Sequence, residues 1–141
     1  MAFYHGKGLV FKIDNAAGTL ATLTAYLDSV DLDDSVDLGE TTTAGAEDKT
    51  FVSGQAEHDV SISGKWDDTA TTGPDAVLSG LVGLETTSTF EFGPGGSTAG
   101  KVKYSGECFL VGYTRTAPVG GVVTFTADFK VTGAVTRGVW P

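Results

Sequence analysis

Basic side chains are scarce in this chain: nine lysines and arginines stand against eighteen aspartates and glutamates, a formal net charge of −9. Affinity for nucleic acid comes mainly from cations that neutralise phosphates, so this balance makes the chain a poor candidate to grip DNA. Cysteine is almost absent. The single Cys108 excludes an internal disulfide and fits most simply with a reducing compartment. No apolar run approaches the ~20 residues of a membrane helix. The opening Met1-Ala2-Phe3-Tyr4-His5-Gly6-Lys7 leads into a short strand and lacks the long apolar segment of a secretory signal. These absences point to a soluble protein. Acidic surplus then reads first as a device for solubility.

What is abundant is glycine, twenty residues of it, together with threonine and valine, which favours an all-β class in one domain over 1–141. The clearest stretch is Val122 to Thr132. Val123, Phe125, Ala127, Phe129 and Val131 share one parity, and Thr124, Thr126, Asp128, Lys130 and Thr132 the other. That pattern is a strand with one apolar and one wet face. Leu9, Phe11 and Ile13 mark a first strand ending at Asp14-Asn15, and Val60 and Ile62 mark another that ends near Trp66. Residues 19–32 carry both helical spacing (Leu23, Tyr26, Leu27, Val30) and strand-like composition, and stay open. Pro74 and the stripe Val77, Leu78, Leu81, Val82 predict a helix over about 73–83, capped by Thr72 or Gly73 and stopped by Gly83. Phe90 and Phe92 alternate in a further strand. Between Lys101 and Thr116 the apolar phase passes from Val102 and Tyr104 to Phe109, Val111 and Tyr113, which predicts a bulge near Gly106. Residues 40–54 read as a long polar loop, which in a compact domain is usually functional or ordered by a partner. Residues 134–141 read as a terminal arm whose Val135, Val139 and Trp140 need somewhere to bury.

Apparent chemical motifs fail on inspection. Gly95-Gly96-Ser97-Thr98-Ala99-Gly100-Lys101 approaches a phosphate-binding loop, but Val102 stands where Ser or Thr must follow, and the loop opens a strand instead of a helix. A hairpin turn is the better reading. Counting a calcium loop from Asp31 puts Val36 at the glycine position and Thr42 at the bidentate acid, so Asp31 to Asp37 reads as a solvated acidic edge or surface. His5 and His58 lack the paired spacing of metal ligands, and Cys108 sits in an apolar strand as core filler. The residues therefore predict no enzyme, no cofactor and no metal.

The order of the pieces carries more. Glu40-Thr41-Thr42-Thr43-Ala44-Gly45, Lys49-Thr50-Phe51-Val52-Ser53-Gly54 and Asp59-Val60-Ser61-Ile62-Ser63-Gly64 resemble segments of the major tail tube proteins of long-tailed, non-contractile phages. Phe92 to Gly106 and Phe129 to Gly138 do the same, so the resemblance covers nearly the whole chain. It implies a β-sandwich or half-barrel of two packed antiparallel sheets with one flanking helix, similar to type VI secretion tube proteins. It also implies stacked hexameric rings forming a virion tube, assembled in the host cytoplasm, through which DNA passes without specific binding. Implied partners are the chain itself and tape measure, tail tip and tail terminator proteins, with no membrane. On this reading Thr41, Thr42, Thr43, Gly45, Lys49, Phe51 and Gly54 belong to an inter-subunit loop. Val135, Arg137, Val139 and Trp140 belong to an assembling arm. Asp59, Ser61, Glu91, Thr124, Thr126, Asp128 and Lys130, all opposite apolar positions, are candidates to line the lumen. The rival reading is a β-sandwich binding or decoration module working through exposed aromatics, which would stay monomeric.

Overall fold

The computed structural model describes residues 3–141. In chain order its elements are β1 (Val10–Asp14), β2 (Leu20–Thr22), β3 (Leu27–Glu40), β4 (Phe51–Lys65), α1 (Pro74–Leu81), β5 (Ser88–Gly93), β6 (Val102–Thr116) and β7 (Thr124–Val139), with short 3-10 turns at Gly6–Gly8 and Thr24–Tyr26. The strands join in one antiparallel seven-stranded sheet of order β2-β1-β5-β6-β7-β4-β3. The mainly β class and the single helix stand as expected. The two packed layers are the two limbs of this one open sheet, because hydrogen bonding continues without a break through β5, β6 and β7.

Side-chain alternation makes the sheet curl. On β7, Phe125, Ala127, Phe129 and Val131 are buried while Thr126 and Asp128 are exposed. The apolar residues of β1 (Phe11, Ile13), β5 (Phe90), β4 (Val60, Ile62) and β6 (Cys108) turn to the same side and join them in one core. A flat sheet would hold β1 and β7 three strand spacings apart, about 14 Å. The Phe11 and Phe129 rings nevertheless lie 6.5 Å apart, centroid to centroid. The sheet is therefore a half-barrel, concave toward the core. Helix α1 plugs the concavity with Val77, Leu78 and Leu81, starting at Gly73 and Pro74 as expected. Val82 does not join the stripe; the helix has already ended there and its side chain is exposed.

Three local readings change. The open segment 19–32 resolves into β2, a turn that buries Leu23, and the start of β3. A register shift does fall at Gly106, where the partner strand bulges at Gly133 (φ +85°). The change of facing in β6, however, comes at a second shift beside Val111. Cys108 and Leu110 face the core and so does Tyr113 after the shift, leaving Phe109 on the opposite face and Val111 exposed. The loop read over 40–54 narrows to residues 41–50, the connection of a long β3–β4 hairpin, with Glu40 closing β3 and residues 51–54 opening β4.

Burial also sets two proton equilibria. Desolvation, with Glu107 and Asp14 adding to it, pushes the Cys108 thiol up to about 12. Tyr113 rises to about 12 through burial and the hydrogen bond its hydroxyl donates to Asp75 Oδ1 at 3.0 Å. Both groups are held protonated by the fold, so their contribution is complete below the ordinary ionisation pH and is lost as pH climbs toward the folded value. Stability is expected to be flat in this respect up to about pH 9 and to fall from there toward pH 12. Urea unfolding at stepped alkaline pH checks this, and Cys108→Ala is expected to delay the onset to near pH 10, where tyrosine begins to ionise.

Candidate assembly surfaces

The convex face of the four long strands is where the polar parity of β7 comes to lie. Pairing aligns Asp33, Asp59, Lys130 and Phe109 in one cross-strand row and Asp31, Ser61, Asp128 and Gly112 in the next. A third row holds Ser29, Ser63, Thr126 and Thr114, and Thr124 stands beside Lys65 and Thr116. Ser61 Oγ donates to Asp128 Oδ1 at 2.9 Å, and the Ser29 and Ser63 hydroxyls meet at 2.7 Å. Lys130 Nζ bridges Glu57 and Asp59, the latter at 3.0 Å. The face is hydroxyl-rich and carries more carboxylate than lysine, with its one central cation already paired.

Six of the seven candidate lining residues thus stand together. Glu91 does not. It lies on β5, across β6 from that group, paired in register with Lys12 and with its carboxylate 3.7 Å from Lys103 Nζ. Phe109 and, on β3, Asp31 and Asp33 share the polar face and were missed. A bulge reversed the apparent facing of Phe109, and β3 was legible only in part, as the acidic stretch Asp31 to Asp37.

The candidate loop residues occupy the far end of the β3–β4 hairpin. Its tip is ordered by threonine: the Thr41 and Thr50 hydroxyls meet at 2.8 Å, and the Thr50 N–H donates to Thr42 Oγ1 at 2.9 Å. Thr43, Gly45 (φ +89°) and Lys49 are exposed in the tip, while Phe51 and Gly54 are exposed on β4. The hairpin leaves the body below the last β4–β7 pair, Asp59 with Lys130, and beyond it β4 pairs only with β3. Val36, Leu38, Phe51 and Val52 are each more than half exposed along it. An apolar arm of this kind lacks a core of its own.

The C-terminal segment is not a free arm. Residues 134–139 continue β7, with Thr136, Arg137, Gly138 and Val139 pairing with Ser105, Tyr104, Lys103 and Val102. Val135 packs against the core, whereas Arg137 and Val139 are exposed. Trp140 buries against its own chain: its backbone N–H donates to Lys101 O at 2.9 Å, and its backbone carbonyl accepts from the Gly100 N–H at 3.0 Å. Lys12 and Lys103 ammonium groups lie 5.3 and 5.1 Å from the indole centroid, a favourable cation–π geometry. The ring also rests on Gly93, where any Cβ would come within 2.7 Å of Trp140 Nε1. The partner that the apolar tail needs is supplied by strands distant in sequence. Trp140→Ala is therefore expected to destabilise the monomer itself, by about 3 kcal/mol if the site behaves as other buried tryptophans do. Chemical denaturation of unassembled protein measures it.

Comparison with solved structures gives these surfaces a context. No family model matches the chain, and no curated protein matches it. The chain has the fold of tail tube proteins. It is similar to the tail subunit of an empty gene transfer agent particle reconstructed with C6 symmetry, at a TM-score of 0.76 and 16% identity over 96% of this chain and 99% of that one. It is equally similar to the SPP1 tail tube protein (TM-score 0.76, 10% identity, 97% and 80% covered). A chain of the PVC extracellular contractile injection system sheath–tube complex follows at TM-score 0.71 and 8% identity, with 97% and 92% covered.

Proposed function

We propose that this chain is the repeating subunit of a phage-type tail tube, assembling into hexameric rings that stack into a conduit for genome delivery. The observation that carries the reading is the match to a sixfold-symmetric tail subunit over nearly all of both chains. The sheet edges support it. Edge strand β3 is unpaired along its outer side. β6 likewise loses its β5 neighbour after Cys108, which frees Phe109–Thr116. β3 and β6 run in opposite directions, so copies related by rotation meet edge to edge as antiparallel strands. Closing the ring this way removes the open edges that an isolated subunit must protect with charge.

In such a ring the concave side, filled by core and helix, faces outward and the polar face lines the channel. Asp59, Ser61, Thr124, Thr126, Asp128 and Lys130 are the lining residues in this reading. A wall of hydroxyls with a modest carboxylate excess gives passing DNA no string of phosphate contacts, and a conduit must lack such contacts because each one repeats in every subunit. The tube belongs to the virion and is built in the host cytoplasm. A tape measure, a tail tip and a terminator are its expected partners, and no residue is assigned a catalytic role. The hairpin arm, with its exposed Leu38 and Phe51, is a contact between subunits.

Concentrated protein, alone and with tail-tip complex, is expected to form tubes with a central channel by negative-stain electron microscopy. Persistent monomers under both conditions would favour the binding-module reading. Open-ended tubes are expected to bind DNA weakly at physiological salt; tight, steeply salt-dependent binding would contradict the lining assignment.

A further inference from the structure

Charge is divided unevenly between the two lateral sides of the sheet. The β3–β4 hairpin and its tip carry Asp31, Asp33, Asp34, Asp37, Glu40, Glu47, Asp48 and Glu57, with Lys49 as the one lysine between Asp31 and Glu57. At the opposite side, Lys12 and Lys103 flank Trp140, Lys101 stands over Tyr4 at the start of β6, and Lys7 follows Gly6, which lines the same recess as Lys101, with Glu91 the carboxylate at 3.7 Å from Lys103. Strand register places the hairpin acids from Asp37 to Glu57 and the lysines at the same end of the sheet. β7 runs toward that end to Val139, opposite Val102, while β4 starts from it at Phe51.

The lysine corner also has shape. Phe3, Tyr4, Pro94, Lys101 and Tyr104 line an open recess of about 540 Å³. Phe3 and Tyr4 are exposed, and Lys101 Nζ sits 5.0 Å from the Tyr4 centroid. On the hairpin, register puts Glu40 beside Phe51 and Leu38 beside Ser53, so acid and apolar groups share one face. Each surface has what the other lacks.

From this complementarity we infer that the acidic hairpin arm of one copy docks in the lysine corner and aromatic recess of the next copy in the same ring. The inference rests on the tube reading and names the contact that orders its subunits. A rotational, head-to-tail interface sets one lateral side of the sheet against the other, so an acidic side and a basic side attract around the whole circuit. The same charges disfavour the wrong approach, arm to arm or corner to corner. Attraction between partly exposed charges is screened over about 10 Å at 0.1 M salt, so ring formation weakens as salt rises.

A charge swap tests it. One variant reverses the corner (Lys7→Glu with Lys101→Glu), and the other reverses the exposed tip (Glu47→Lys with Asp48→Lys). Circular dichroism and denaturation of each confirm folded monomer; the tip pair touches no core and keeps the test valid if the corner pair misfolds. Each variant alone is expected to raise the protein concentration needed for rings about tenfold or more, the scale of several like-charge contacts. Mixed in equal amounts, the two are expected to restore tubes, since alternation places opposite charges at every contact of a sixfold ring. If each variant alone assembles as wild type does, or the mixture does not recover, the docking assignment is wrong while the tube reading stands. Isolated rings that fail to stack would also overturn it, because the corner would then bind the neighbouring ring. Wild-type protein that never assembles sinks the tube reading itself.

Discussion

The inward curl of one continuous sheet, fixed where Phe11 meets Phe129, is the constraint on which the rest of the molecule depends. A seven-stranded antiparallel sheet with a single helix has apolar surface on one face and too little helix to cover it if it stays flat. Curling brings β1 and β5 over to face β7 and β4, so the sheet supplies much of its own second layer and α1 fills the remaining opening. The bulges at Gly133 and at Val111 ease that curvature. With the apolar side turned in, every polar residue of alternate parity is forced onto one convex surface. The wall-like face is thus a consequence of core packing and not a separate invention.

That logic was readable where a strand buries one face and not where it buries neither. The alternation from Val123 to Val131 announced β7, and Pro74 with its apolar stripe announced α1, since both elements are half buried. The outer part of β3 and β4 gave no such signal. Residues 35–40 and 51–57 have no core to pack on, so glycine, polar groups and acid stand among their few apolar residues, and cross-strand backbone bonding alone makes them strand. The acidic edge from Asp31 to Asp37 was legible as an edge, because carboxylates on an unpaired strand oppose casual pairing. Trp140 was legible as needing burial, but its site is built by Lys12, Gly93 and Lys103 from three other strands, a contact no local pattern records. Among the candidate lining residues the same limit separates Glu91 from the rest. Parity tells which face a side chain takes, not which strand lies beside it.

In the proposed tube, charge ties the fold to assembly. A subunit with open edges must avoid premature association yet accept its proper neighbour, and placing acid on one lateral side and lysine on the other serves both needs. Pairing of Lys130 with Glu57 and Asp59 also quiets the one cation that would otherwise stand alone in the middle of the polar face. In the proposed channel, weak net charge spread over hydroxyls suits a surface past which a polyanion moves.

The claim on which this picture turns is that the convex polar face is the channel wall. Helical reconstruction of assembled tubes by cryo-electron microscopy measures it directly. The expected map places Asp59, Ser61, Thr126 and Asp128 around the channel, with α1 and the Phe11–Phe129 core toward the outside. A map with α1 facing the channel, or with that polar face buried between stacked rings, would contradict it.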